Sequence, residues 1–126
     1  MNQLQQDIQA IMAALATVRA PAMPGEYDLH AEVSAALARA GINHSHEYRL
    51  APRCRIDFLA GRVGIEIKKG RPIASALREQ LTRYLRSDAL DAIVVVTQQS
   101  VPLPPTLSGK PVKPVSLNRL WGVALP

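Results

Sequence analysis

The run Asp91-Ala-Ile-Val-Val-Val-Thr97 sets the tightest limit on what this chain can fold into. Successive side chains of a strand point to opposite faces, so consecutive β-branched residues make both faces apolar. A strand of that kind belongs inside a sheet that is covered on both sides. The cover must come from a chain of 126 residues, 48% of them hydrophobic but only 4% aromatic. Leu, Ile, Val and Ala therefore have to do the packing, within a length that suits one compact domain.

Three segments read as helices that could supply this cover. Residues 2–19 carry Leu4, Ile8, Met12, Leu15 and Val18 at helical spacing, with a Gln-rich opposite face. The stretch APAMPG at 20–25 then breaks the chain. It divides an N-terminal helix and break, 1–25, from a core region, 26–126, within one compact unit. A second helix is expected from about Tyr27 to Ala40, with Leu29, Val33, Leu37 and Ala40 on one face and Gly41 as its stop. Pro72 suits the opening of a third, running to about Ser87.

Between the second and third helices the apolar period drops to two. His46–Leu50 is a short strand candidate, and Arg53–Ala60 and Val63–Lys69 alternate on either side of Gly61-Arg62. Gly-X is a favoured two-residue hairpin turn, with glycine supplying the positive φ. Residues 98–111 read as a proline-rich loop and Val112–Val115 as a last strand. Ser116 would cap a short helix ending near Trp121. Helices mixed with one sheet in this order imply an α/β or α+β sandwich.

The hairpin carries the chemistry. The Gly61-Arg62 turn sets Ala60 opposite Val63, Phe58 opposite Ile65, Asp57 opposite Glu66 and Arg55 opposite Lys68. Strict alternation then puts Ile56, Phe58, Ile65 and Ile67 on the buried side, with Asp57, Glu66 and Lys68 on the other. Directly opposed like charges destabilise a sheet, and here two acids face each other and two bases do the same. A divalent cation removes the acid–acid penalty, since Mg²⁺ takes hard oxygen ligands and keeps several waters. Lys68, two residues beyond Glu66 on the same face, lies within reach of the same water or phosphate.

Charge agrees with an anionic partner. Fifteen Lys and Arg against ten Asp and Glu leave +5, which favours a polyanion such as nucleic acid. Cys54, the single cysteine, excludes an internal disulfide and reads as a small filler beside the hairpin. His44 and His46 form an H-x-H pair without further ligands nearby, and read as polar loop residues. No apolar run approaches the ~20 residues that cross a bilayer, and no basic-then-apolar leader opens the chain. The expectation is a soluble protein of a reducing cytoplasm, without membrane contact.

These residues resemble the motifs of the PD-(D/E)XK nuclease superfamily over roughly residues 26–97. Arg55-Ile56-Asp57-Phe58 resembles the first motif strand, and Gly64-Ile65-Glu66-Ile67-Lys68 the E-x-K strand. Glu32, in LHAEVSAAL, matches the acidic residue on the preceding helix. Gln80-Leu-Thr-Arg-Tyr84 matches the Q-x-x-x-Y motif that some members carry. Ile56 departs from the pattern, standing where many members have proline. The resemblance implies a restriction-endonuclease-like three-layer α/β/α sandwich with a central mixed sheet and core order α-β-β-β-α-β. It also implies Mg²⁺, with Mn²⁺ as a substitute, held by Asp57, Glu66, the carbonyl of Ile67 and Glu32. Lys68 would assist the nucleophile and Gln80 would position water or phosphate.

Arg71, Arg78, Arg83 and Arg86, with Lys69 and Tyr84, are the expected nucleic-acid contacts. The expected activity is hydrolysis of DNA phosphodiesters, with RNA left open. In so short a chain, structure-selective cleavage or a place in a larger complex is a better expectation than sequence-specific cutting. The alternatives are a nuclease-like domain that binds without cutting and a protein-interaction module. The apolar stripe of 2–19 has to be buried somewhere, and its place is expected at the interface of a homodimer.

Overall fold

A computed structural model describes residues 2–18 and 26–117. The element order is α1 (Gln3–Leu15), α2 (Glu26–Arg39), β1 (Ser45–Ala51), β2 (Cys54–Ala60), β3 (Val63–Lys68), α3 (Ala74–Leu85), β4 (Ala92–Thr97), β5 (Thr106–Leu107) and β6 (Lys110–Ser116). This is an α/β protein with a mixed six-stranded sheet in the order β1-β2-β3-β4-β6-β5. The first three strands are antiparallel, whereas β3, β4 and β6 run parallel. Parallel neighbours need a long crossover, and α3 provides it between β3 and β4.

Every residue of β4 is buried. Ala92, Val94 and Val96 join α1 and α2 in one core cluster, together with Phe58, Ile65 and Ile67. Ile93 and Val95 join α3 in a second cluster, with Ile56 and Val112. The helices thus lie on both faces of the sheet, as the β-branched run requires.

The first helix is not an appendage. Asn2 caps it in a reciprocal box with Gln5. Its apolar stripe of Ile8, Ile11, Ala14 and Leu15, continued by Val18, is buried in the same cluster as α2 and the sheet. The chain's own core therefore covers the stripe that was expected at a dimer interface, and that argument for a homodimer falls away. The proline-rich break at 20–25 lies outside the described residues.

Two expectations need correction at the C-terminal end and at α3. Pro72 does not open α3, which begins at Ala74 after Ile73. The loop expected over 98–111 contains β5 and the start of β6, turned by Ser108 and Gly109 at positive φ. The strand expected over Val112–Val115 is present as the middle of β6, and Pro111 obscured its start, because a proline within a run lowers its strand signal. Here only two-residue β5 pairs its outer side, so the missing N–H groups of Pro111 and Pro114 are tolerated. Ser116 ends β6, and the short helix expected to continue to Trp121 lies outside the described residues. Among the described residues, no helix is long and apolar enough to cross a membrane.

The β2–β3 hairpin keeps the expected register at its turn, with Ala60 opposite Val63 and Phe58 opposite Ile65. Gly61 supplies the positive φ, at 62°. One face assignment fails beyond that point. Ile56 packs with α3, not with Phe58, Ile65 and Ile67. Residues two apart on a regular strand share a face, so the alternation slips at Asp57. Gly64 makes room for the displaced side chain. A Cβ there would stand 2.4 Å from Cδ1 of Ile56 and 3.2 Å from both methyls of Leu90.

Candidate active site

The slip at Asp57 is where the two acids meet. Regular pairing of β2 and β3 ends at Phe58 and Ile65, and side chains take over beyond it. Oδ2 of Asp57 accepts the backbone N–H of Ile67 at 2.7 Å. Oε1 of Glu66 accepts the backbone N–H of Asp57 at 3.3 Å. Each carboxylate thus occupies a place that a backbone carbonyl would take in a regular ladder. The neighbouring strand is irregular at the same level. Glu47, between the pairs His46–Phe58 and Tyr48–Ile56, has φ of 57°.

Glu66 is almost fully buried, at 3% exposure. Burial, and then the charge of Asp57, push its carboxyl up from near 4.5 to about 7, against the pull of Lys68. Nζ of Lys68 lies 3.0 Å from Oε2 of Glu66. The hydroxyl of Tyr84 reaches the same oxygen at 3.3 Å and the carbonyl of Arg55 at 3.2 Å. Burial, followed by the Glu66 charge, raises the affinity of that hydroxyl for its proton, so it stays a donor. Gln80, one turn earlier on α3, donates to the Tyr84 hydroxyl at 2.8 Å. The Q-x-x-x-Y pair therefore meets the acids through Tyr84.

From α2 it is His30, and not Glu32, that approaches the acids. Nε2 of His30 lies 3.8 Å from Oδ2 of Asp57, while its Nδ1 is 2.9 Å from Nε2 of His46. His46 is no loop residue. It lies in β1 opposite Phe58 and stacks on that ring, with centroids 4.7 Å apart. His44 contacts the same ring edge-on and bonds Ser34 of α2 at 2.8 Å. Sequence reasoning missed His30, because no spacing rule links a helix residue to an H-x-H pair sixteen positions away. The usable signal was that an H-x-H strand must pair with the strand carrying Asp57.

Asp57 and Glu66 are the residues that could hold a metal ion. Among the described residues, no group of three His, Cys, Asp or Glu side chains converges as a metal site. Half-buried Glu32 is accordingly not part of such a set. Two carboxylates do not make a closed cage of the zinc type. They do fit Mg²⁺, which binds through one or two carboxylates and keeps its remaining waters. Glu66 holds its proton more tightly than an exposed carboxyl because it is buried and then because Asp57 is close, and a bound cation would oppose both effects.

The expected basic contacts divide. Arg83 shares a cleft with Gln80 and Tyr84, and with Arg78 and Arg86 it also borders a second hollow along α3. Lys69 and Arg71 are exposed on the segment between β3 and α3. Cys54 is half-buried against the α3 cluster. Comparisons with family models, curated proteins and solved structures gave no match.

Proposed function

We propose that this chain is a metal-dependent nuclease of the PD-(D/E)XK type, built on a restriction-endonuclease-like sandwich, that hydrolyses phosphodiester bonds of DNA. The reading rests on one observation: Asp57 and Glu66 lie on adjoining strands, each bonded to the other strand's backbone, with the Lys68 ammonium on Glu66. Asp57 and Glu66 would hold Mg²⁺ or Mn²⁺, which when bound lowers the pKa of water and screens phosphate charge. In the reaction water adds to phosphorus and the bond to the leaving sugar oxygen breaks. The water gives up one proton, and the leaving oxygen takes one.

The chain's own groups have distinct parts in this. The Lys68 ammonium is a fixed positive charge at the site where phosphate charge develops, and it can orient the attacking water. Tyr84 holds the orientation of Glu66, and Gln80 holds Tyr84. His30 stands beside Asp57 and steadies it from α2. The hydroxyl and the histidine position the carboxylates and do not themselves meet the scissile bond.

Lys68→Ala tests the proposal. With Mg²⁺ or Mn²⁺, cleavage of linear, nicked, flapped and four-way DNA is expected to fall by about 10²-fold or more. The melting temperature is expected to fall at and above neutral pH, where the buried Glu66 carboxylate loses its neighbouring cation, so cleavage is compared at a temperature at which both proteins are folded. Wild-type protein that cuts none of these substrates, nor RNA, would leave a binding domain in place of an enzyme.

A further inference from the structure

The turn between β1 and β2 and the face of α3 enclose a cleft of about 390 Å³, bordered by Arg49, Arg53, Arg55, Arg83, Gln80 and Tyr84. Three of the four arginines come from the hairpin β1–β2, away from the helix that carries most of the expected contacts. Arg49 pairs directly with Arg55 across the two strands, an arrangement of like charges that costs stability. Arg53 sits in the turn with φ of 59°, a conformation uncommon for a residue with a side chain. Among the described residues, the ion pair made by these four is that of Arg55 with Glu47, 3.7 Å apart and exposed. Guanidiniums are thus gathered against their own repulsion with little negative charge among them, and an anionic ligand would relieve both.

The position of the cleft narrows the ligand. Tyr84 borders it and also reaches Oε2 of Glu66 at 3.3 Å. A group seated among the arginines is therefore one side chain away from the paired acids. Planar guanidiniums match phosphate oxygens in bidentate pairs. The volume admits a phosphate with its sugar, and several charges of one sign suit more than a single monoanion.

We infer that this cleft holds the phosphate groups of a nucleic-acid strand next to the phosphate being cut. The inference rests on the nuclease reading for its substrate but not for its anion chemistry. The phosphate can be internal to the strand or terminal, and both present the same oxygens.

Binding of a short fluorescein-labelled oligonucleotide to the full chain, followed by anisotropy in EDTA, separates cleft from catalysis. Arg49→Gln and Arg53→Asn, the latter chosen because asparagine tolerates positive φ, are each expected to weaken binding by about tenfold. Each is also expected to reduce the salt slope by about one. Arg39→Gln removes the same charge from the last turn of α2 and is expected to change binding less than twofold, as a site without phosphate contact would. Strands with a 5′-phosphate, a 3′-phosphate or neither distinguish the sources. Loss of affinity with loss of one terminal phosphate assigns the cleft to strand ends, and equal affinity assigns it to internal phosphates. Folded Arg49 and Arg53 variants that bind like wild type, or no worse than Arg39→Gln, overturn the inference. Arginine-dependent binding by a protein that never cuts would sink the nuclease reading and leave the anion cleft standing.

Discussion

Glu66→Gln is expected to abolish cleavage and, in metal-free protein above pH 7, to raise the melting temperature. Burial and the neighbouring Asp57 hold the Glu66 carboxyl at about 7 in the folded chain, against about 4.5 when exposed. Below about pH 4.5 the group is protonated in both states and has no effect on stability. Between those values the unfolded chain has lost the proton and the folded chain keeps it, so stability falls as pH rises. Above pH 7 the cost is complete, on the order of 3 kcal/mol. Glutamine carries no charge, so the variant's melting temperature should lack that decline. Mg²⁺ should stabilise the wild type by mass action and leave the variant almost unmoved. Asp57→Asn should act in the same direction, by removing the charge that opposes Glu66. Cleavage by either variant within about 10²-fold of wild type, a large loss for one catalytic group, would refute the site. Thermal unfolding across this pH range with and without Mg²⁺ reads the electrostatics without any substrate. A wild-type curve parallel to that of the glutamine variant would refute them.

A chain beginning at residue 26 is expected not to fold. Ile8, Ile11, Leu15 and Val18 are each at most 6% exposed in the core that also holds α2 and the sheet. Burial of such side chains is worth about 1.5–3 kcal/mol each. The four together come to roughly 6–12 kcal/mol, comparable with the ~5–15 kcal/mol total stability of ordinary domains. Loss of the cooperative unfolding transition, read by circular dichroism, is the expected result. Leu15→Ala alone is expected to cost about 2–5 kcal/mol. A truncated chain that melts like the full one would show that the stripe lies elsewhere in solution. Sedimentation of the full chain at micromolar concentration would then be the measurement to make.

The parts legible in the sequence were those governed by local periodicity. The β-branched run of β4 required cover on both faces, and α1, α2 and α3 provide it. The Gly61-Arg62 turn fixed the near end of the hairpin through backbone geometry alone. The rest depended on contacts that periodicity does not encode. Ile56 was assigned to the wrong face because strict alternation cannot register a slip, and the features that accompany the slip, the positive φ of Glu47 and the room left by Gly64, lie on the neighbouring strands. The approach of His30 to Asp57 depends on how α2 lies against the sheet, which its own spacing leaves open. Arg49 and Arg53 carry no motif or period of their own, and they join Arg83 only because the β1–β2 hairpin lies against α3. Acidic residues on the two strands of one hairpin could be paired on paper. A basic cleft assembled from three elements could not.

The carboxylates of Asp57 and Glu66 fasten two strands as well as presenting charge. An ion drawing on those same oxygens would loosen the fasteners it competes with, so occupancy is written into the backbone itself. The amide protons of Ile67 and Asp57 then become built-in gauges of cation loading. Their exchange rates and chemical shifts should respond to Mg²⁺ while the turn amides at Ala60 and Val63 stay still, and NMR would read this in the wild-type protein with no probe attached. Equal responses at all four positions would mean that the ion rests elsewhere.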